Sequence, residues 1–286
     1  MIGAIIGDIV GSRFEFQNIH TKNFLLFSSF SHITDDSILT MAIAKALVTC
    51  KDDYSNLSEV TIECLRKFGK KYLTSYGKLF FEWLHSDNPQ PYNSFGNGAG
   101  MRVSPVGFVA KDIAECKKLS RIVTEVTHNH PEGIKGAEAI AVCVWLARNG
   151  TTKDEIRTYV NNNYYPLNFT IENLQVNFQW SSSCQDSVPQ AIECFLESEN
   201  FVDAIRNAVS IGGDSDTIAA MTGSIAEAFY GIPDDIRSKA LSYLPEKYKL
   251  VLDSENLSPV ERSLIFNDDG QINNNEVARI FLEWKK

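Results

Sequence analysis

Apolar residues recur along this chain mostly at helical spacing. Ile38, Met41, Ala42, Ala46 and Leu47 fall on one stripe, as do Ile134, Ala137, Ala141 and Trp145, and again Ile218, Met221, Ile225 and Phe229. The spacing predicts further helices over about 58–74, 112–126, 186–197, 200–210, 234–243 and 275–284. At the start, Gly3-Ala4-Ile5-Ile6-Gly7 suits a tightly packed buried helix, after which Gly11-Ser12 is expected to turn the chain outward, leaving Glu15 at that exit. Helix starts are marked by Asp35, Pro131 and Asp214. Period-two alternation is scarce, and Phe24–Phe30 is the best candidate strand. The pattern predicts an all-α protein. Residues 86–105 and 162–185 read as long irregular connections, neither resembling a tether, so 1–286 is expected to form a single multi-helix domain.

Composition narrows the classes. Of 286 residues 44% are hydrophobic, enough for a sizeable core. The formal charge of −9 argues against stable nucleic-acid binding and against broad attraction to anionic lipid, although backbone N–H groups could still hold a phosphate. No stretch approaches a membrane span, and the apolar run Met1–Val10 carries Asp8 and lacks a basic flank. The cysteines at 50, 64, 116, 143, 184 and 194 form no CxxC and sit largely in apolar patterns. A reduced, cytoplasmic, monomeric protein is the expectation.

Candidate chemistry gathers where helices begin. Thr34-Asp35-Asp36-Ser37 opens one helix and Gly212-Gly213-Asp214-Ser215-Asp216-Thr217 opens another. Capping accounts for part of this, since Ser, Thr and Asp are preferred caps and acids suit the first turn. Capping needs one acceptor oxygen, however, and each cluster supplies several, while adjacent aspartates repel unless something positive lies between them. Such oxygen sets suit hard cations. Asp214-Ser215-Asp216-Thr217 also fits the D-x-D-x-T phosphatase nucleophile pattern. That pattern belongs after a buried strand near the start of a Rossmann-like domain, and here it follows a helical stretch late in the chain. A third feature is Tyr92-Asn93-Ser94-Phe95-Gly96-Asn97-Gly98-Ala99-Gly100-Met101-Arg102, whose alternating glycines suit either an anion-holding nest or a plain turn. No cysteine or third histidine joins His128 and His130 in a ligand pattern, which argues against a zinc site.

In this order the motifs resemble the ADP-ribosylglycohydrolase family: Gly7-Asp8 through Glu15, Thr34-Asp35-Asp36, Gly96-Asn97-Gly98 through Met101-Arg102, Thr127-His128, and Gly213-Asp214-Ser215-Asp216-Thr217. The resemblance runs from residue 3 to about 245. It implies an all-α fold with two divalent cations, Mg²⁺ or Mn²⁺, held in a cleft by Thr34, Asp35, Asp36, Asp214, Asp216 and Thr217. It further implies catalytic roles for Glu15, Asp35 and Asp214, and a substrate site formed by Ser94, Phe95, Gly96, Asn97 and Gly98 with Met101 and His128 nearby. The implied activity is hydrolysis of the bond between ADP-ribose and an acceptor that could be protein, nucleic acid or a small molecule. A metallohydrolase acting on O-acetyl-ADP-ribose or another free nucleotide derivative, and a non-catalytic ADP-ribose-binding protein, are the alternatives. Gly100 departs from the alanine common in the family and Ser37 from the frequent threonine; neither is an implied ligand.

Overall fold

The computed structural model describes residues 1–51, 53–71 and 76–243, and among them regular structure is entirely helical. The helices are α1 (Ile2–Gly11), α2 (Asp35–Thr49), α3 (Leu57–Lys71), α4 (Lys78–His85), α5 (Gly98–Met101), α6 (Ser104–Val109) and α7 (Ile113–Glu125). They continue with α8 (Pro131–Arg148), α9 (Lys153–Asn163), α10 (Ile171–Asn177), α11 (Val188–Leu196), α12 (Phe201–Ser210), α13 (Ser215–Tyr230) and α14 (Asp234–Leu241). The all-α expectation holds. The helix expected over 275–284 lies outside the described residues, as does the end of the one expected over 58–74.

Three helices form the centre. Along α2, α8 and α13 burial extends well beyond the stripes that periodicity marks, taking in Ile43, Val142, Ala219 and Ala226. A helix enclosed on most sides has little polar face to retain, which is why its amphipathic pattern is weak. One apolar cluster runs from Met1 to Ala240. All six cysteines are free and buried within the fold.

The tightest junction is between α1 and α13. Every residue of α1 is buried, and glycine recurs on it at every fourth position. A Cβ at Gly3 would lie 2.1 Å from the Gly223 carbonyl oxygen, one at Gly7 2.0 Å from that of Ala219, and one at Gly11 2.5 Å from the Asp216 Cα. Backbone therefore packs directly on backbone along the whole of α1. Gly11-Ser12 does not turn the chain outward: both are αR, and α1 runs on into a 3₁₀ turn, Ser12–Phe14, that brings Glu15 back against α13.

Other expectations are corrected. Phe24–Phe30 forms no strand. Arg206 donates to the Phe24 carbonyl at 2.8 Å and Arg13 to that of Leu25, so guanidinium groups take acceptors that a strand would need. The stretch 86–105 contains α5 and the start of α6, and 162–185 contains α10, whose Thr170 cap accepts from the Asn173 N–H. Helix α9 begins with a capping box, Thr152 with Glu155, a signal present in the sequence and passed over there.

Substituting Gly7→Val should destabilise the protein by about 3 kcal/mol or more, since the new side chain would meet rigid backbone. Chemical denaturation measures it; a midpoint within error of wild type would show that α1 can move away from α13 freely.

Candidate active site

The helix starts that carry the acidic clusters face one another, and α1 runs between them. Thr34 caps α2, its hydroxyl accepting from the Asp36 N–H at 3.3 Å. The rest of that helix end is satisfied from another element. Asp8, fully buried on α1, accepts from the Thr34 N–H at 2.9 Å, the Thr34 hydroxyl at 2.7 Å, the Ser37 N–H at 3.1 Å and the Ser37 hydroxyl. Thr34 and Asp8 thus perform the capping, and the expected start signal at Asp35 was one residue late. Asp35 and Asp36 are left over.

On the opposite side Asp214 occupies the N-cap position of α13, but its side chain makes no capping bond. Its carboxylate instead accepts from the Asn97 amide at 2.7 Å. Gly212 and Gly213, at φ of 76° and 75°, make the turn before it, and the Asn18 amide brackets that turn. Asn18 accepts from the Gly213 N–H at 2.9 Å and donates to the Gly213 carbonyl at 2.8 Å and to that of Phe14 at 2.7 Å. One side chain therefore ties the segment holding Glu15 to the segment holding Asp214.

The carboxylates converge. Asp8, Asp36 and Asp216 each bring an oxygen within 4.8 Å of the others, and so do Glu15, Asp214 and Asp216. The Thr217 hydroxyl donates to Asp36 at 3.2 Å, joining α13 to α2. Asp36 Oδ1 is buried with no hydrogen-bond partner among the described residues. Burial is the main reason that Asp8, Asp35, Asp36, Asp214, Asp216 and Glu15 all hold protons above the usual carboxylate range, and repulsion among them adds to it at Glu15, Asp35, Asp36 and Asp216. Asp35 and Glu15 are both pushed up to about 7. A buried orphan oxygen amid crowded carboxylates is the environment a hard cation relieves, and the donors are all oxygen.

Of these groups Glu15, Asp35, Asp36, Asp214, Asp216 and Thr217 line one end of a cleft of about 440 Å³, and Asp8 is not part of that lining. Its other walls include Ser94, Gly96, Asn97, Gly98, Met101 and His128, with Tyr92 and Arg102 from the two ends of the same glycine segment, and Lys78 and Trp180 at sites the sequence reading did not single out. Two expected residues stand apart from the lining. Thr34 is buried behind it against Asp8, and Phe95 projects outward, 47% exposed, with its ring 5.2 Å from that of His130. The glycines also work differently than expected. Gly96, Gly98 and Gly100 are absent from the positive-φ positions, so they form no nest of the expected kind. They permit close approach: a Cβ on Gly100 would lie 2.7 Å from Met221 Sδ, and one on Gly98 3.3 Å from His128 Nε2. An isolated antiparallel bridge to Ser183 pins Gly96. Asp8, which the sequence reading noted only in the apolar opening run and the Gly7-Asp8 motif, was given no role there, and Asn18 was not singled out at all.

Comparison with known proteins follows the same lines. The sequence model of the ADP-ribosylglycohydrolase family matches residues 1–262. The chain is 26% identical to ADP-ribosylhydrolase ARH3 of Danio rerio, covering 81% of this chain and 82% of that protein. It is 23% identical to ADP-ribosylarginine hydrolase Tri1 of Pseudomonas putida, over 81% and 70%. It is 24% identical to ADP-ribosyl-[dinitrogen reductase] glycohydrolase of Rhodospirillum rubrum, over 86% and 89%. A solved ADP-ribosylglycohydrolase-related protein complex shares the fold at a TM-score of 0.60 and 18% identity, over 99% of this chain and 96% of that one.

The acid cluster gives a stability signature. Because the folded carboxylates hold protons more tightly than the unfolded chain does, their contribution is fully present below about pH 4 and is lost as pH rises toward about 7, where Asp35 and Glu15 ionise. In chelator, the cluster should therefore lower the melting temperature between pH 5 and pH 8, and Mg²⁺ should raise it more at pH 8 than at pH 5. Thermal melts test this, and an equal Mg²⁺ effect at both pH values would contradict it.

Proposed function

The chain belongs to the ADP-ribosylglycohydrolase family, and from that premise we infer that it is a hydrolase cleaving the glycosidic bond between ADP-ribose and a modified acceptor, so reversing ADP-ribosylation. The observation that carries the reading is the meeting of Asp35, Asp36, Asp214, Asp216, Thr217 and Glu15 at one end of a cleft whose other walls include the 94–98 segment and His128.

The family is generally dependent on divalent metal, and the oxygen donors and the orphaned Asp36 Oδ1 fit such an ion. Asp35, Asp36, Asp214, Asp216 and Thr217 would hold two cations, which we read as Mg²⁺ or Mn²⁺, with Thr34 behind them orienting Asp36 from its place against Asp8. Bound there, the cations would supply positive charge against the crowded carboxylates and Lewis acidity toward the ribose oxygens.

The protein's own groups supply the rest. Displacement at the anomeric carbon passes through an oxocarbenium-like transition state, which nearby carboxylates favour electrostatically. Glu15 is half-buried on the cleft wall and titrates near neutrality, suiting it to take the proton of the attacking water. Asp35 and Asp214 bracket the same end and orient the reacting groups. Ser94, Gly96, Asn97 and Gly98 offer a narrow wall for the ADP-ribose moiety, with Met101 beneath it. Phe95 would act at the rim, from outside the cleft. The buried free cysteines are consistent with a reducing compartment, which we take to be the cytoplasm, and no helix among the described residues is long and apolar enough to cross a membrane.

Asp216→Asn should lower turnover on the order of 100-fold by removing a charged oxygen from the crowded set. Glu15→Gln should lower kcat strongly while changing ADP-ribose affinity little. The measurement is single-turnover hydrolysis of ADP-ribosyl-arginine, ADP-ribosyl-serine, ADP-ribosylated DNA and O-acetyl-ADP-ribose, with ADP-ribose titration on the same preparations. Wild-type turnover that survives exhaustive chelation would refute the metal assignment; binding of ADP-ribose without turnover of any of the four would favour a non-catalytic binder.

A further inference from the structure

In the wall of the cleft sits a buried guanidinium with no carboxylate hydrogen-bonded to it among the described residues. Arg102 is 2% exposed and forms no ion pair among the described residues. Its Nη2 donates to the Thr127 hydroxyl at 2.5 Å and to His128 Nδ1 at 3.3 Å, and its Cζ lies 5.5 Å from the Phe80 ring centroid. The Thr127 hydroxyl, accepting from Arg102, is itself 2.7 Å from His128 Nδ1.

These contacts determine where the imidazole proton sits. A guanidinium can only donate hydrogen bonds, so the ring nitrogen it faces must accept. Nδ1 of His128 is therefore unprotonated, and the hydrogen of the neutral ring is on Nε2. Nε2 points the other way, toward the glycine segment: it is the atom a Cβ on Gly98 would approach to 3.3 Å and one on Gly96 to 3.7 Å, and both glycines line the cleft. No side chain or carbonyl among the described residues accepts from it. Burial and the neighbouring positive charge of Arg102 hold His128 well below the usual imidazole range, which keeps the ring neutral.

We propose that Arg102 is a positioning residue that fixes His128 as a neutral Nε2–H donor, aimed across Gly96 and Gly98 at an oxygen of the ADP-ribose moiety. The proposal rests on the functional reading above for its ligand, while the proton placement stands on geometry alone. It gives the buried charge a task other than neutralising the acid cluster. Arginine suits that task better than lysine, which lacks the fixed planar fork that reaches a hydroxyl and a ring nitrogen together.

The test combines nitrogen NMR of the histidine rings with an affinity cycle. In the wild-type protein His128 should show the Nε2–H pattern, unchanged between pH 5 and pH 8, and its Nε2 signal should shift on adding ADP-ribose. His128→Ala should weaken ADP-ribose binding about tenfold, the loss of one buried hydrogen bond, and His128→Gln should recover most of it. Arg102→Met should release the tautomer and weaken binding by a similar factor, and Arg102→Met combined with His128→Ala should be no worse than His128→Ala alone. Additive losses would show that Arg102 acts on the ligand directly and would overturn the positioning role. If Arg102→Met does not fold, the wild-type spectrum and Thr127→Val, which removes the second Nδ1 contact, decide the matter. An Nδ1–H pattern in a protein that binds ADP-ribose would overturn the proton placement only; an Nε2–H pattern in a protein that ignores ADP-ribose would overturn the functional reading and the aim of the donor with it.

Discussion

The contact of α1 with α13 sets the distances on which the site relies. Because glycine faces backbone at Gly3, Gly7 and Gly11, the two helices approach more closely than any side chain would allow. That approach carries Asp8 to the start of α2 and Glu15 to the start of α13 in one rigid step. Alanine on the same face would push the helices apart, and the carboxylates of three separate segments would no longer reach one another. The geometry of the acid cluster is thus a consequence of missing methyl groups up to two turns away.

A cluster of this kind works against folding. Buried carboxylates are costly when ionised, and here several share one small space with little basic charge nearby. The surrounding structure holds them by short-range devices: Asp8 is surrounded by donors from Thr34 and Ser37, Asp214 is held by Asn97, and Thr217 bridges to Asp36. These devices hold both oxygens of Asp8 but one each of Asp214 and Asp36. Asp36 Oδ1 remains without a partner among the described residues, and this selective incompleteness distinguishes the cluster from a set of helix caps.

What the sequence disclosed and what it hid follow from how each residue is used. The two acidic runs were legible because they contain more oxygens than capping can employ, and the order of motifs along the chain made the family recognisable. Asp8 was visible as part of the Gly7-Asp8 motif, but its role was not, because its partners Thr34 and Ser37 lie more than twenty residues away. Asn18 looked like an ordinary loop residue, and its task depends on Gly213. For the glycines, the residue type was informative but the reason was not. A sequence cannot separate a glycine chosen for positive φ, such as Gly212, from one chosen for close approach, such as Gly100, until the neighbouring backbone is placed. The supposed strand at Phe24–Phe30 failed for a related reason, because one of the groups that claim its carbonyls, Arg206, comes from a distant part of the chain and joins Arg13 there only in the fold.

Six thiols sealed inside the fold also turn the protein into its own clock. Burial pushes Cys64 up to about 11 and Cys116 and Cys184 to about 12, so the folded molecule presents almost no thiolate to an alkylating reagent. Modification must then wait for an opening event, and its rate reports how often that event happens. The positions sample different events. Cys143 and Cys194 sit in α8 and α11 and would be reached only when the core itself separates. Cys184 donates through its sulfur to the Gly96 carbonyl, at the edge of the cleft. Its labelling would time the breathing of the wall that receives the ligand, independently of the lifetime of the whole fold.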